Sequence, residues 1–306
     1  MSNPILPPRG KADVVLDTDT YNEIDDQFAL SLLLLNGDKL RTAAVYAAPF
    51  HNEKSSGPED GMEKSYDEIL KVLALCGKSE LASRVFKGSR SYLSDEKTPV
   101  LSPAAEDLAR RAMEYTAENP LYVVAIGAIT NIASAILLHS EITDRMIVVW
   151  LGGNSYDLPG TKEFNMMQDI AAARVVIEKA RLVLLPCLGV VSEFRVSKPE
   201  LERWLVGKNP LADYLARNTI EEAERQSSLT CWSRVIWDVT AVAWLLNEDG
   251  RYMRSVRRRA KLPGCDRAYS DETIDRELTY VSYINRDRLL TDLTAILTKE
   301  DPSKLD

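Results

Sequence analysis

Five carboxylates lie within ten residues near the start of the chain: Asp17, Asp19, Glu23, Asp25 and Asp26. Two like charges ~4 Å apart repel each other by roughly 4 kcal/mol at an effective dielectric constant near 20. A chain tolerates such a cluster on an open surface or where a cation neutralises it. The stretch holds no His or Cys, and oxygen ligands alone suit a hard cation such as Ca²⁺ or Mg²⁺. A solvated acidic turn is the alternative.

The residues around this cluster indicate a strand followed by a helix. The apolar run from Val14 to Leu16 is typical of a buried strand, and apolar residues recur at helical spacing from Phe28 to Leu35. Asp25 and Asp26 occupy the predicted first turn of the helix, where carboxylates are favoured. The cluster is therefore predicted in a strand-to-helix turn, and ligands of open α/β sheets bind at the carboxyl ends of strands.

The rest of the chain alternates between predicted strands and helices. Strands are predicted at 14–16, 40–48, 84–87, 121–126, 145–151, 181–185 and 277–284. Helices are predicted at 62–75, 103–118, 132–138, 169–180, 199–206, 211–224, 239–246 and 286–298. This alternation predicts the α/β class, an open and mainly parallel sheet with helices on both faces. No long linker interrupts it, so residues 1–306 are predicted to form a single domain.

Composition limits the partners. The chain has 306 residues, 38 basic against 46 acidic, and a net charge of −8, which argues against a nucleic-acid partner. The exception is the basic run 254–261, which we expect to be a surface loop or helix end. We also expect no membrane partner, because no apolar run approaches the ~18 residues of a membrane span.

The cysteines and the N-terminal residues indicate the cellular compartment in which we expect the protein. The four cysteines are far apart in sequence and form no CxxC motif, which is typical of reduced, mostly buried thiols in a cytoplasmic protein. The first 13 residues contain no apolar segment of the kind found in signal peptides.

Three further polar groups fall at predicted strand ends or helix starts: Thr130-Asn131, Glu163 to Asn165, and Asp238. Each taken alone is most simply a helix cap. Their shared placement at one edge of a parallel sheet is what a metal-dependent small-molecule site requires.

Four motifs together resemble the inosine–uridine nucleoside hydrolase family: DTD…DD, GAITN, GGN…EFN and DVTAVA, within about residues 13–245. The resemblance implies a Rossmann-like fold, bound Ca²⁺ and hydrolysis of the N-glycosidic bond of a ribonucleoside to ribose and free base. It also implies a role in purine or pyrimidine salvage and a homodimer or homotetramer.

The resemblance also implies roles for individual residues. The Ca²⁺ ligands would be Asp19, Asp26, the Thr130 carbonyl and Asp238, and Asp19 would also be the general base that activates the metal-bound water. The ribose hydroxyls would be held by Asp25 and Asn165, with help from Glu163. Asp17 would orient the turn from behind.

This chain departs from the family pattern in its first motif. The family has DxDPGxDD, whereas here the turn between Asp19 and Asp25 is two residues longer and lacks Pro-Gly. Asn22 or Glu23 could therefore enter the site. In the sugar-binding loop, the region of Asp157 replaces an asparagine of the family.

The second departure is on the leaving-group side. Many purine-accepting members have a histidine just before the aspartate that matches Asp238, and here Trp237 stands in its place. Trp237 cannot donate a useful proton but can stack on a base. Of the two histidines, His51 is the candidate acid, while His139 is read as structural at a helix end. Other partners of the base stay open: Tyr156, Glu193, Glu224 and Arg234.

Two other functions compete with hydrolysis. A nucleoside- or ribose-binding protein on the same fold would explain the missing histidine, although four intact aspartates argue against a decayed site. A HAD-like phosphotransferase also opens with an apolar strand and DxD, but it leaves the later motifs unexplained.

Overall fold

The computed structural model describes residues 4–226, 228–270 and 274–301. Its strands are Ala12–Thr18 (β1), Leu40–Ala47 (β2), Val85–Lys87 (β3), Leu121–Ala125 (β4), Met146–Leu151 (β5), Leu182–Leu185 (β6), Arg195–Ser197 (β7), Ser233–Val235 (β8), Met253–Arg259 (β9) and Glu277–Ile284 (β10). Its α-helices are Asp26–Leu35 (α1), Pro58–Leu75 (α2), Pro103–Ala112 (α3), Thr130–Leu138 (α4), Phe164–Gln168 (α5), Ile170–Lys179 (α6), Lys198–Trp204 (α7), Pro210–Gln226 (α8), Val239–Leu245 (α9) and Arg286–Thr298 (α10).

Eight strands form one sheet in the order β3-β2-β1-β4-β5-β6-β10-β9. All neighbouring pairs are parallel except β10 with β9 at one edge. The strand order reverses between β1 and β4, and in open α/β sheets the crevice at such a reversal is where ligands bind. The short strands β7 and β8 pair separately as an antiparallel ribbon.

Apolar layers cover both faces of the sheet. In β1, Val14 and Leu16 belong to one buried cluster and Val15 belongs to the other. The same alternation occurs in β4, where Val124 packs with the first cluster and Val123 with the second. The predicted open, mainly parallel α/β sheet with helices on both faces is therefore confirmed.

Several predicted boundaries were wrong. Helix α2 begins at Pro58 rather than residue 62, because proline is well tolerated in the first turn, where its missing N–H is not needed. Helix α3 ends at Ala112, well before residue 118. No helix was predicted between residues 152 and 168, where the structure has the short helix α5, and the ribbon of β7 and β8 was not predicted either. Elements of three to five residues are too short to show a periodic pattern.

The basic run 254–261 was also read wrongly, since most of it is the edge strand β9. Its arginines are accommodated at the edge because Arg258 lies over the ring of Tyr280 and Arg254 lies over the ring of Tyr283. Charged side chains on an edge strand also discourage pairing with another sheet.

All four cysteines are free thiols, but only Cys187 is buried; Cys76 is partly buried, and Cys231 and Cys265 are exposed. The expectation of mostly buried thiols was therefore wrong. Within the described part of the chain, no helix has the length and apolar character needed to cross a membrane.

Gly61 lets α2 lie directly on the segment that follows β2. A Cβ atom at Gly61 would lie 2.1 Å from the carbonyl oxygen of Phe50. We expect Gly61→Ala to lower the free energy of unfolding by about 1–3 kcal/mol, because backbone must move to relieve the overlap. Urea denaturation measures this change.

Gly37→Ala is the matched control, since its Cβ would meet nothing closer than 3.9 Å and its φ is not in the left-handed region. It should change the unfolding free energy by no more than about 0.5 kcal/mol. Equal stability of the two variants would contradict the close contact of α2 with Phe50.

Candidate metal and ligand site

The acidic first motif lies at the carboxyl end of β1, beside the point where the strand order reverses. The chain turns after Asp19, whose carbonyl accepts a hydrogen bond from the Asn22 N–H at 2.7 Å. Helix α1 then begins at Asp26. The carboxylate of Asp26 therefore lies at the positive end of the helix dipole, which favours negative charge.

Three carboxylates from two distant segments meet at this edge. Asp25, Asp26 and Asp238 each offer an oxygen within 4.8 Å of the other two, and all three side chains are buried. The Asp238 N–H donates to Asp25 Oδ2 at 3.3 Å. Asp19 is also buried, and its Oδ2 has no hydrogen-bond partner. The group therefore presents more carboxylate oxygens than the protein's own donors satisfy.

Burial and mutual repulsion make these carboxylates hard to ionise. Burial raises the pKa of Asp26 to about 7. Burial, followed by the charge of Asp26, raises the pKa of Asp19 well above its ordinary value. The pKa of Asp25 is raised well above its ordinary value by burial and by Glu23, and that of Asp238 by burial and by Asp25. A bound cation would reverse this balance, since it favours the anionic form of each group.

The donor set fits a hard divalent cation. Four buried aspartates supply only oxygen, and such cations prefer carboxylate, carbonyl and water ligands. The unpartnered Oδ2 of Asp19 is the kind of buried polar atom that such an ion would satisfy. The buried Asp25–Asp26–Asp238 cluster could therefore hold a metal ion.

Asp17 lies behind this cluster and is held by a chain of hydrogen bonds. Its Oδ1 accepts from Asn131 Nδ2 at 2.7 Å. Asn131 Oδ1 in turn accepts from the backbone N–H and the hydroxyl of Ser89, at 2.8 and 2.9 Å. Burial raises the pKa of Asp17 to about 7. These contacts connect the end of β1 to the start of α4 and to the segment after β3.

A cavity of about 240 Å³ opens beside the carboxylates. Seven of the ten residues that the sequence placed in the site line it: Asp19, Asp25, Asp26, Glu163, Asn165, Trp237 and Asp238. Residues from the ends of several sheet strands thus meet around one concave space, as expected for a parallel sheet.

Glu163 is used to build the wall of this cavity. As the N-cap of α5, its carboxylate accepts the N–H groups of Asn165 and Met166, at 2.8 and 2.9 Å. It also accepts the N–H of Gly153 at 2.7 Å. Burial raises its pKa despite these three bonds. Its oxygens therefore already have partners within the protein.

Asn165 is oriented differently. Its Nδ2 donates to the carbonyls of Ile126 and Leu151, at 3.2 and 3.1 Å. Because both acceptors are backbone groups at the ends of β4 and β5, the direction of the amide is fixed. Its Oδ1 is then left as the acceptor that a ligand in the cavity can use.

Three predicted site residues do not line the cavity. Thr130 is buried at the start of α4, and its hydroxyl donates to Asp169 Oδ2 at 2.7 Å. His51 is exposed, and its backbone N–H donates to Gln168 Oε1 at 2.7 Å. Asp157 is exposed in the loop after β5. The four residues left open as partners of the base also lie outside the lining: Tyr156, Glu193, Glu224 and Arg234.

Both candidates from the longer turn, Asn22 and Glu23, line the cavity. Sequence reasoning missed a further set of lining residues: Ile126, Leu151, Asn154, Lys162, Phe164, Cys187 and Leu188. Leu151 is the last residue of β5, and four others come within three residues of the end of a sheet strand: Ile126, Asn154, Cys187 and Leu188. Their position after consecutive parallel strands was a usable signal, because the carboxyl ends of such strands share one edge.

The chain resembles known proteins over most of its length. A family model described as inosine-uridine preferring nucleoside hydrolase matches residues 14–287. The pyrimidine-specific ribonucleoside hydrolase RihA of Enterobacter sp. (strain 638) is 22% identical over 261 residues, which cover 77% of this chain and 79% of the relative. RihA of Shewanella sp. (strain MR-4) is 25% identical over 259 residues, which cover 76% of this chain and 77% of the relative.

Solved structures share the fold at lower identity. A plant nucleoside hydrolase superposes with a TM-score of 0.72 at 17% identity, covering 94% of this chain and 99% of its own. A purine-preferring ribonucleoside hydrolase from Gardnerella vaginalis superposes with a TM-score of 0.71 at 18% identity, and the match covers 96% of this chain and 100% of that structure's chain.

The family match spans nearly all of the sheet and every segment that contributes to the carboxylate cluster. The chain therefore belongs to the inosine-uridine preferring nucleoside hydrolase family and is an N-glycosyl hydrolase.

Proposed function

We propose that this protein hydrolyses the N-glycosidic bond of a ribonucleoside to ribose and free base, with Ca²⁺ as its cofactor. The observation that carries the proposal is the buried cluster of Asp25, Asp26 and Asp238, which lies with Asp19 on the wall of the cavity. Family membership argues against the HAD-like phosphotransferase alternative.

Asp19, Asp26 and Asp238 are the proposed side-chain ligands, with the Thr130 carbonyl carried over from the family pattern. Ca²⁺ held there would supply Lewis acidity that lowers the pKa of the attacking water. Asp19 is the proposed acceptor of the proton of that water, and its buried Oδ2 without a partner supports this role. The other carboxylates stabilise the positive charge that develops on the ribose.

Ribose binding is assigned to Asp25 and Asn165. The fixed amide of Asn165 presents its Oδ1 as an acceptor, and Asp25 is a second acceptor in the lining of the same cavity. Two such acceptors suit the 2′- and 3′-hydroxyls and would fix the sugar for attack. The role of Glu163 is then to hold the loop that carries Asn165.

The leaving base is expected to receive little help with protonation. Trp237 lines the cavity where purine-accepting members of the family have histidine, and an indole stacks on a base without protonating it. The similar proteins differ in the base that their names specify, since one is named pyrimidine-specific and another purine-preferring. His51 remains the histidine proposed for the leaving group, and Asp157 remains a proposed contact of the substrate.

We further propose a single domain that acts in the cytoplasm as a homodimer or homotetramer. The family resemblance supports the assembly, and the four unpaired thiols suit a reducing compartment.

Asp19→Ala should lower turnover by at least ~10²–10⁴-fold at saturating Ca²⁺, the contribution of a positioned general base. Release of p-nitrophenol from p-nitrophenyl riboside measures it. Asp67→Asn, an exposed carboxyl on α2, is the control and should behave like the wild-type protein. A rate near wild type in a Ca²⁺-loaded Asp19→Ala protein would remove Asp19 from this role.

Removing the metal should abolish activity and lower thermal stability. A ligand that binds only the folded state stabilises it by ~2.7 kcal/mol at a hundred times its dissociation constant. The test is treatment with EGTA followed by return of Ca²⁺, with turnover and thermal midpoint measured at each step. A chelator already saturated with Ca²⁺ is the control. Full activity in the chelated protein would refute the metal requirement.

The nitrophenyl riboside should be cleaved ~10²–10⁴-fold faster than inosine or uridine, because its leaving group needs no proton. Initial rates over a nucleoside panel give the ratio. His51→Ala separates the alternatives, since it slows only the natural nucleosides if His51 reaches the leaving base. Stoichiometric binding of nucleosides without cleavage of any riboside would indicate a binding protein instead.

A further inference from the structure

The longer turn between Asp19 and Asp25 is attached to three separate elements. The N–H of Tyr21 donates to Ser65 Oγ on α2 at 3.3 Å. Asn22 Oδ1 accepts from Asn52 Nδ2, in the loop after β2, at 2.7 Å. Glu23 forms the third attachment, to the β8 strand. The turn thus has side-chain contacts on three sides in place of the Pro-Gly of the family pattern.

The third attachment is an ion pair between the turn and β8. Arg234 Nη2 lies 3.0 Å from Glu23 Oε2, and the two side chains are 22% and 42% exposed. The other arm of the same guanidinium, Nη1, donates to Gln226 Oε1 at 2.8 Å. Arg234 is itself fixed by the ribbon, where it pairs with Val196.

This ion pair joins the two segments that supply the carboxylate cluster. Glu23 comes two residues before Asp25, and Arg234 comes four residues before Asp238. A second bond joins the same segments further on, from the Asp238 N–H to Asp25 Oδ2. The distance between Asp25 and Asp238 is thus set by two consecutive contacts between the turn and the β8–α9 segment.

Glu23 also has its own effect on the cavity that it lines. The negative charge of Glu23 raises the pKa of Asp25, whereas the positive charge of Arg234 lowers it. Without its partner, Glu23 would present an uncompensated negative charge to a cavity that five other carboxyl side chains line.

We infer that the Glu23–Arg234 ion pair is a positioning device, which holds the longer first-motif turn against the β8–α9 segment so that the proposed ligands Asp26 and Asp238 converge on one cation. The inference rests on the proposed function, because it concerns the metal of that site. Arg234 and Glu23 are positioning residues rather than ligands.

Arginine is required at this position because both arms of its planar guanidinium are used. Lysine carries the same charge but offers one ammonium, which cannot bond Glu23 and Gln226 in the same fork geometry. We therefore expect Arg234→Lys to retain only part of the effect.

The sign of the effect on Ca²⁺ affinity separates positioning from simple electrostatics. Removing a positive charge beside a cation site should strengthen cation binding if only charge matters. If the ion pair positions the carboxylates, Arg234→Ala should instead weaken Ca²⁺ binding by ~10–100-fold, the usual loss when a group that supports metal ligands is removed. Calorimetric titration with Ca²⁺ measures this directly and does not depend on turnover.

The thermal midpoint of the metal-free protein serves as a second readout. It should hardly change, because a partly exposed ion pair contributes little to global stability. The charge-swapped protein Glu23→Arg/Arg234→Glu should recover most of the affinity that Arg234→Glu alone loses. A merely structural loss would lower the midpoint, and the swap would not repair it.

The Arg174–Glu96 pair offers a matched control. Its atoms lie 2.7 Å apart and its side chains are 20% and 41% exposed, close to the values for Arg234 and Glu23. Neither residue lines the cavity. Arg174→Ala should therefore leave Ca²⁺ affinity unchanged.

Two results would overturn the inference, and they differ from one another. Equal or tighter Ca²⁺ binding by Arg234→Ala, with the wild-type protein binding normally, would refute positioning and leave the proposed function intact. No Ca²⁺ binding by the wild-type protein would refute the metal of the proposed function, and the inference would fall with it.

Discussion

The site depends on the electrostatic conflict among buried carboxylates at the carboxyl end of β1. Asp19, Asp25, Asp26 and Asp238 are all removed from water, and neighbouring carboxylates of this group raise the pKa of Asp19, Asp25 and Asp238. Burial penalises the charged form of each group, and every neighbour of like charge adds to the penalty. The buried carboxylates therefore lower the stability of the folded state. The well-packed strands β1 and β4 and the helices α1 and α9 hold them in place. A divalent cation turns the same repulsion into a binding site.

Much of this could be predicted from the sequence, for a physical reason. Strands buried on both faces give continuous apolar runs, such as those of β4 and β5, and the residue after each run must lie at one edge of a parallel sheet. Asp19, Asn165 and Asp238 were all found by this argument together with the family resemblance, although they lie far apart in the chain. The edge on which a residue lies follows from local pattern alone.

The direction of a side chain at that edge does not follow from local pattern. His51 comes from the correct edge, yet it is exposed and does not line the cavity. Glu163 was predicted to help hold the ribose, and the sequence did not predict that its oxygens accept three backbone N–H groups. The ion pair of Glu23 with Arg234 joins residues that lie far apart in the sequence. Neither the type of these residues nor their spacing indicates that they are partners. Such contacts depend on tertiary packing, which local propensity cannot encode.

Different residues of the site are assigned to the two parts of the proposed reaction, which are the activation of water and the departure of the base. The groups proposed to bind metal and activate water come mainly from β1, its turn and the start of α9. Trp237, which is proposed to stack on the leaving base, lines the same cavity and directly precedes Asp238. A change at position 237 can therefore alter the handling of the base while Asp238 stays in the cluster. The loss of histidine at this position, with all four aspartates retained, fits a chain that keeps its hydrolytic half and differs in the base it releases. The longer turn contributes Asn22 and Glu23 to the lining that also holds Trp237, so the two departures from the family pattern change a single cavity.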